Sequence, residues 1–251
     1  MTDAELCVVV GATGTIGSAV TRRLTERGLR VLAVARQADA LDALVGESAA
    51  VSTCVADISS NSSIGLLANA VAGRPVRMAV LAAGLPVRGS AEVIDPDLLA
   101  VGANVKLGGL LRLVRGVSGS LRRGSRLVTF AGSLGLEPRA GEAGPGAINA
   151  GVFNLMRQLS LIYGPRGITT HTISPGPADT PRLRKIAEGV AAESNRPFDE
   201  VWQTYVEATS LRRLPTADEI AWGVTLLLDP EADLLHGSVL YLDAGGHRGI
   251  H

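Results

Sequence analysis

The sequence predicts an α/β fold: a doubly wound, seven-stranded parallel sheet with helices on both faces, in one domain over residues 1–251. Three observations predict it. Short β-branched runs alternate with stretches of helical periodicity along the whole chain. The runs are continuously apolar, as strands buried on both faces require. The first run leads into a glycine-spaced turn that opens a helix, the order of a Rossmann-type unit. Right-handed crossovers between parallel strands then place helices on both faces. A chain of 251 residues suits one such domain and can bury a core without metal or disulfide staples.

The runs are CVVV (7–10), RVLAVA (30–35), VSTCVA (51–56), RMAVLAA (77–83), RLVTFA (126–131), ITTHTI (168–173) and SVLYLD (238–243). No linker, repeat or low-complexity tract separates them. The stretch 181–213 stands apart, being long, polar and charged between the sixth strand and the last helix. Placed beyond a strand's carboxyl end, it is expected to act as a substrate lid.

Composition excludes several classes. The chain is 46% apolar and 19% charged, with a formal net charge of +0. That is globular, and without a basic run it predicts no nucleic-acid partner. No apolar stretch approaches the length of a membrane span, and the N-terminus runs almost at once into a strand, so a cytoplasmic protein with no membrane partner is expected. Cys7 and Cys54 lie in apolar runs and are expected as buried thiols rather than a disulfide. The scattered histidines have no metal-ligand spacing, so no metal is predicted. Lysine occurs only at Lys106 and Lys185.

GATGTIG (11–17) follows a strand and opens a helix. Gly11 allows the tight turn, Gly14 lets backbone N–H groups approach a pyrophosphate, and Gly17 permits close packing of helix on strand. Thr13 adds a hydroxyl. The second strand ends at Ala35 and Arg36, where a carboxylate would be needed to hold an adenosine ribose. A guanidinium instead suits a 2′-phosphate, which predicts NADP(H) in preference to NAD(H). Asp57 closes the third strand, where it would hold the adenine amino group. LAAG (81–84) closes the fourth with residues small enough for a ribose to lie against the backbone.

With these motifs the chain resembles a short-chain dehydrogenase/reductase over essentially all its length. GATGTIG resembles the family's glycine motif, in the spacing of its extended and atypical branches. Asp57 resembles the adenine-site aspartate, and LAAG the Asn-Asn-Ala-Gly segment with Ala82 in place of an asparagine. GANVKLGG (102–109) resembles the fourth-helix motif, which implies Asn104 as the catalytic asparagine. ISPGPADTP (173–181) resembles the Pro-Gly segment that holds the nicotinamide amide, through the Ala178 backbone and the Thr180 hydroxyl, and LYLDAGG (240–246) the closing strand. The cofactor set so implied is Gly11, Thr13, Gly14, Ile16, Gly17, Arg36, Asp57, Ile58, Ala83, Gly84, Asn149, Pro175, Gly176, Ala178 and Thr180. The resemblance also implies dimers or tetramers built through the family's fourth and fifth helices, with the small residues Gly146, Ala147, Ala150 and Gly151 allowing close approach. A heteromer with an active homologue is the other assembly it allows.

The departure from the family lies at the chemistry. Counting back from SPGPADT places the family's catalytic tyrosine at Pro145, its lysine at Asn149 and its serine at Gly132, with Ser133 beside it. Tyr163, Tyr205 and Tyr241 fall elsewhere, and neither lysine is expected near the site. Only Asn104 would survive of the four. Loss of a positioned acid typically costs ~10²–10⁴ in rate and loss of an oxyanion donor ~10²–10³, whereas positioning alone can contribute about 7–11 kcal/mol. Two function classes follow. One is an atypical NADPH-dependent ketoreductase acting on a small carbonyl compound. Its proton would come from a phenol or enol hydroxyl of the substrate, from water, or from Ser133. The other is a non-redox or silent protein, either a nucleotide-binding partner subunit or a cyclase- or isomerase-like enzyme. The intact cofactor motifs favour the first. Glu137, Arg139 and Glu142 are candidate substrate contacts before the fifth family helix, and Phe198, Trp202 and Tyr205 are candidate contacts in the lid.

Overall fold

The computed structural model describes residues 5–249; residues 1–4 and 250–251 of the expected domain lie outside the described residues. Seven strands form one sheet: β1 (Leu6–Val10), β2 (Arg30–Ala35), β3 (Val51–Val55), β4 (Val76–Leu81), β5 (Leu121–Phe130), β6 (Thr169–Pro175) and β7 (Val239–Leu242). Their spatial order is β3-β2-β1-β4-β5-β6-β7, and every pairing is parallel. The expected strands are recovered closely. β5 begins at Leu121 rather than 126, because Leu121 already pairs with Val76 before the register shifts.

The helices are α1 (Thr15–Glu26), α2 (Ala38–Glu47), α3 (Ser62–Val71), α4 (Pro96–Ala103), α5 (Gly109–Val117), α6 (Ala143–Tyr163), α7 (Pro181–Ser194), α8 (Phe198–Glu207) and α9 (Ala217–Leu226). Strand periodicity divides the core into two. On β1, Leu6, Val8 and Val10 face a cluster completed by α3, α5 and α6, through residues such as Leu67, Leu113 and Met156. Cys7 and Val9 face the opposite cluster with α1, α2 and α9, through Leu24, Leu41 and Ile220. A two-residue alternation that is apolar on both phases is what a two-sided parallel sheet demands. Cys7 and Cys54 are free, buried thiols, and burial pushes Cys7 up to about 12.

Charged groups fasten the periphery. Arg22 and Arg23 both hold Asp218 at the start of α9. Arg126 is buried and donates to the carbonyl oxygens of Leu227 and Gly124 while pairing with Asp233 at 2.6 Å. The 181–213 stretch folds into α7 and α8. Phe198 stacks on Trp202 (5.7 Å between centroids), and Arg184 lies 4.6 Å over the Trp202 ring. No helix among the described residues is long and apolar enough to cross a membrane.

β1 has β2 on one side and β4 on the other, so the chain reverses its winding direction between them. The crevice at such a switch point, outside the strands' carboxyl ends, is where this architecture binds ligands.

His171 gives the fold a pH dependence. It is fully buried on β6, and burial, reinforced by the nearby Arg126 charge, lowers its pKa from 6.5 to about 4. The unfolded chain therefore takes up a proton between pH 6.5 and about 4 that the folded protein refuses. Stability is complete above pH 6.5 and falls as pH drops through this window, by about 3 kcal/mol at pH 4. Urea midpoints measured at pH 7 and pH 4 should show this loss, and His171→Gln should remove its share.

Candidate active site

The turn after β1 explains its glycines. Gly11 has φ +83°, and a Cβ there would come within 2.7 Å of the Ala83 nitrogen at the end of β4. A Cβ on Gly17 would lie 2.0 Å from the Gly11 carbonyl oxygen. Gly14 caps α1 without any side-chain hydrogen bond, and Thr13, Gly14 and Thr15 are exposed. The first-turn N–H groups of α1 thus face open space across a surface with no Cβ in the way, which fits a diphosphate.

The nucleotide side continues along the carboxyl edge. Arg36 is exposed just past β2 and makes no hydrogen bond or ion pair among the described residues. Asp57 is exposed and accepts from the Ser59 N–H (2.9 Å) and the Ser59 hydroxyl (2.7 Å). Those bonds, with smaller help from Arg36 and Arg112, hold its carboxyl below the usual carboxylate range. Ile58 differs from expectation. Its side chain is buried against Gly109 and its carbonyl oxygen accepts from Arg112, because the turn after β3 packs onto α5. Its side chain therefore belongs to the core, not to a binding surface.

A cleft of about 370 Å³ continues from the switch point. Ile16 and Gly84 line it at the nucleotide end, with Ser133, Pro145 and Asn149 on one wall and Pro175, Gly176, Ala178 and Thr180 on another. Leu183 and Ile186 of α7 and Tyr205 of α8 also line it. Thr180 caps α7, its hydroxyl accepting from the Leu183 N–H at 3.3 Å. Of the residues between β5 and α6, Arg139 and Glu142 line the cleft. Glu137 instead accepts from the Arg248 and Gly249 N–H groups and pairs with His247 at 3.2 Å. It ties down the C-terminal segment, so the expectation that it contacts substrate is corrected. Phe198 and Trp202 likewise pack on each other and on Arg184 and do not line the cleft, leaving Tyr205 as the aromatic that does.

The largest correction concerns Asn104 and Lys106. Between α4 and α5 the helix loosens into a π turn over Asn104–Gly108, where the Gly109 N–H bonds back to the Asn104 carbonyl oxygen. Asn104 is exposed and does not line the cleft. Its side chain donates to the Ser59 carbonyl oxygen (3.0 Å) and accepts from Arg112 (2.8 Å). Two residues on, the helix has turned by roughly half a circle, and Lys106 enters the cleft. Its Nζ donates to Asn149 Oδ1 at 2.6 Å. Burial, with like-charge repulsion from Arg182, lowers its pKa to about 8. The expectation that neither lysine is near the site is therefore wrong for Lys106. Docking of the π turn on α6 sets this aim. Leu107 occupies the space over Gly151, where a Cβ would come within 3.1 Å, and Gly102 leaves room for Ile148. Gly151 thus serves packing within the chain. Arg182 is a second cleft residue that sequence reasoning passed over.

Residues 11–247 match the family model described as enoyl-(acyl carrier protein) reductase. The chain belongs to the short-chain dehydrogenase/reductase family. A putative ketoacyl reductase from Streptomyces coelicolor is 29% identical, covering 97% of both chains. Galactitol 2-dehydrogenase from Rhizobium johnstonii is 28% identical, covering 97% of this chain and 95% of the relative. An uncharacterized short-chain dehydrogenase/reductase, y4vI, from Sinorhizobium fredii is 28% identical, and this chain spans 43% of its length. Among solved structures, a variant of actinorhodin polyketide ketoreductase with NADPH superposes with a TM-score of 0.88 at 26% identity, covering 99% of both chains. A short-chain dehydrogenase family protein from Francisella tularensis shares the fold with a TM-score of 0.88, covering 97% of this chain and 98% of that one.

This short-chain dehydrogenase/reductase places its turn at Gly17 under a tight constraint. Gly17→Ala should force α1 off β1 and cost about 3 kcal/mol, lowering Tm by roughly 6–12 °C. A thermal melt checks the first effect. Calorimetry with NADPH on the folded fraction should show that nucleotide binding is lost as well.

Proposed function

We propose that the protein is an NADPH-dependent reductase of a small carbonyl compound that works without the family's tyrosine. The observation carrying this reading is one continuous cleft. Ile16 of α1 and Gly84 line it on the side of the glycine turn, and its inner walls hold Ser133, Asn149 and Lys106. A reduced nicotinamide bound there supplies hydride. The chain's own residues do the rest. First-turn N–H groups of α1 and the Gly14 backbone hold the diphosphate, and the exposed Arg36 guanidinium meets the 2′-phosphate as a charge-assisted fork. Asp57 takes the adenine amino group, and Ala83, Gly84 and the Pro175–Thr180 segment carry the ribose and nicotinamide. The Ser133 hydroxyl donates to the carbonyl oxygen. Leu183, Ile186 and Tyr205 exclude water, which strengthens every polar contact inside. The ketoacyl reductase relative and the polyketide ketoreductase that binds NADPH support this class.

Assembly as a homodimer or homotetramer belongs to the same proposal. The exposed Leu98 and Val101 of α4 and the exposed Leu161 and Ile162 of α6 offer apolar surface on the elements corresponding to the family's pairing helices. Light scattering at micromolar concentration should give twice or four times the chain mass.

Calorimetry tests the cofactor assignment. The unmodified protein should bind NADPH more tightly than NADH. Arg36→Ala should weaken NADPH ~10–100-fold, the size of a lost charge-assisted contact, while leaving NADH nearly unchanged. Equal losses would contradict the role of Arg36. If NADPH binds but no ketone consumes it, the silent-subunit reading replaces this one.

A further inference from the structure

The family's acid is missing from α6, yet the cleft holds an ammonium. Lys106 Nζ rests on Asn149 Oδ1 at 2.6 Å. Asn149 in turn reaches the next element: its Nδ2 lies 3.3 Å from where a Cβ on Gly132 would stand. Gly132 is the family's serine position and Ser133 follows it, both on the cleft wall. Lys106, Asn149 and the Gly132–Ser133 turn therefore form one cluster at the inner end of the cleft. No carboxylate pairs with Lys106 among the described residues. The charged groups that share the cleft are Arg88, Arg139 and Glu142, from the segments after β4 and before α6, and Arg182 of α7; Glu142 pairs with Arg88 at 3.7 Å. An ammonium partly buried in a cleft and left without a paired counter-charge is costly for a fold to keep. Groups held in that way concentrate at functional sites.

We propose that Lys106 is the acid of this site, giving the proton on Nζ to the carbonyl oxygen of the substrate, with Asn149 holding the ammonium in place. The proposal rests on the reductase reading. The reaction adds a hydride, two electrons and one hydrogen, to the carbonyl carbon, drawn from NADPH, which becomes NADP⁺. The carbonyl π bond opens onto oxygen, and an N–H bond of Lys106 breaks as the O–H bond forms. The resulting neutral amine takes a proton back from water, so the balance is ketone, NADPH and one proton giving alcohol and NADP⁺. Until the proton moves, the ammonium also stabilises negative charge developing on that oxygen. A pKa of about 8 suits the task, since an acid is most effective when its pKa lies near the working pH. In this arrangement the residue types of two helices have changed places. The lysine comes from the segment where the family carries its asparagine, and an asparagine stands at the lysine position of α6.

The presence of only two lysines makes a direct test practical. Lys185 is exposed on α7, so Lys185→Arg leaves Lys106 as the sole lysine signal in an isotope-labelled, unliganded protein. Its NMR titration should have a midpoint near 8, and an ordinary midpoint near 10.5 would overturn the proposal. Lys106→Met should lower kcat ~10²–10⁴-fold and leave NADPH affinity within a few fold. Lys106→Arg should not restore kcat, because a guanidinium does not release its proton. The unmodified enzyme should show kcat/KM flat below pH 8 and falling about tenfold per unit above it, a limb absent in Lys106→Met. A kcat unchanged in Lys106→Met, with NADPH affinity lost, would make Lys106 a cofactor anchor and refute the acid role. A matched pair of aromatic ketones, one with an adjacent hydroxyl and one with it methylated, should react at comparable rates. Turnover confined to the free hydroxyl would assign the proton to the substrate and overturn the proposal. An active reductase with a lysine midpoint of 10.5 defeats the acid assignment alone, whereas NADPH binding with no turnover of any ketone defeats the reductase reading and the proposal together.

Discussion

Burial of both faces of the parallel sheet is the constraint from which the rest follows. Helices occupy each face, so the central strands β1 and β4 bury nearly all their side chains. Polar chemistry is displaced to the turns at the carboxyl edge and to the helix segments beside them. The turns after β1, β4, β5 and β6 converge there because the strand order places those four strands side by side. The cleft is a consequence of that order, and its residues come from segments distant in sequence yet adjacent on one edge.

Features governed by short-range rules were legible in the sequence. Strands declared themselves by continuous apolar runs, and the glycine turn by the spacing that steric contact imposes; 2.0 Å from a Gly17 Cβ to the Gly11 oxygen leaves no second choice of residue. Features governed by helix phase or by distant partners were not. Asn104 and Lys106 sit in one motif on opposite sides of the helix, and periodicity alone does not reveal which of the two faces the cleft. The small residue Gly151 on α6, over which Leu107 packs, was the available signal. Glu137 was unreadable for another reason, since its partners Arg248 and Gly249 lie more than a hundred residues away.

The charge balance of the cleft supports the same chemistry. Lys106, Arg88, Arg139 and Arg182 line it against a single carboxylate, Glu142, already paired with Arg88. A cavity with this excess favours negative charge, whether on a phosphate or on an oxygen becoming an alkoxide. Mutual repulsion of the cations is the corresponding cost. Burial, with repulsion from Arg182, holds Lys106 below the ordinary lysine range and so makes its proton easier to release.

Pro145 and Asn149 then acquire a joint meaning. Proline is well suited to the first turn of a helix, where its missing N–H would have had no partner. At that place it preserves the start of α6 while removing any side chain that could reach the carbonyl. Asn149, one turn further on, offers a neutral oxygen acceptor within 2.6 Å of an ammonium arriving from the facing π turn. A lysine retained at 149 would have repelled Lys106 across that distance, and a tyrosine at 145 would have competed for the same oxygen of the substrate. On the proposed reading the exchange is self-consistent only as a set: without an acid and a lysine on α6, no group there opposes an acid delivered from the other side of the cleft.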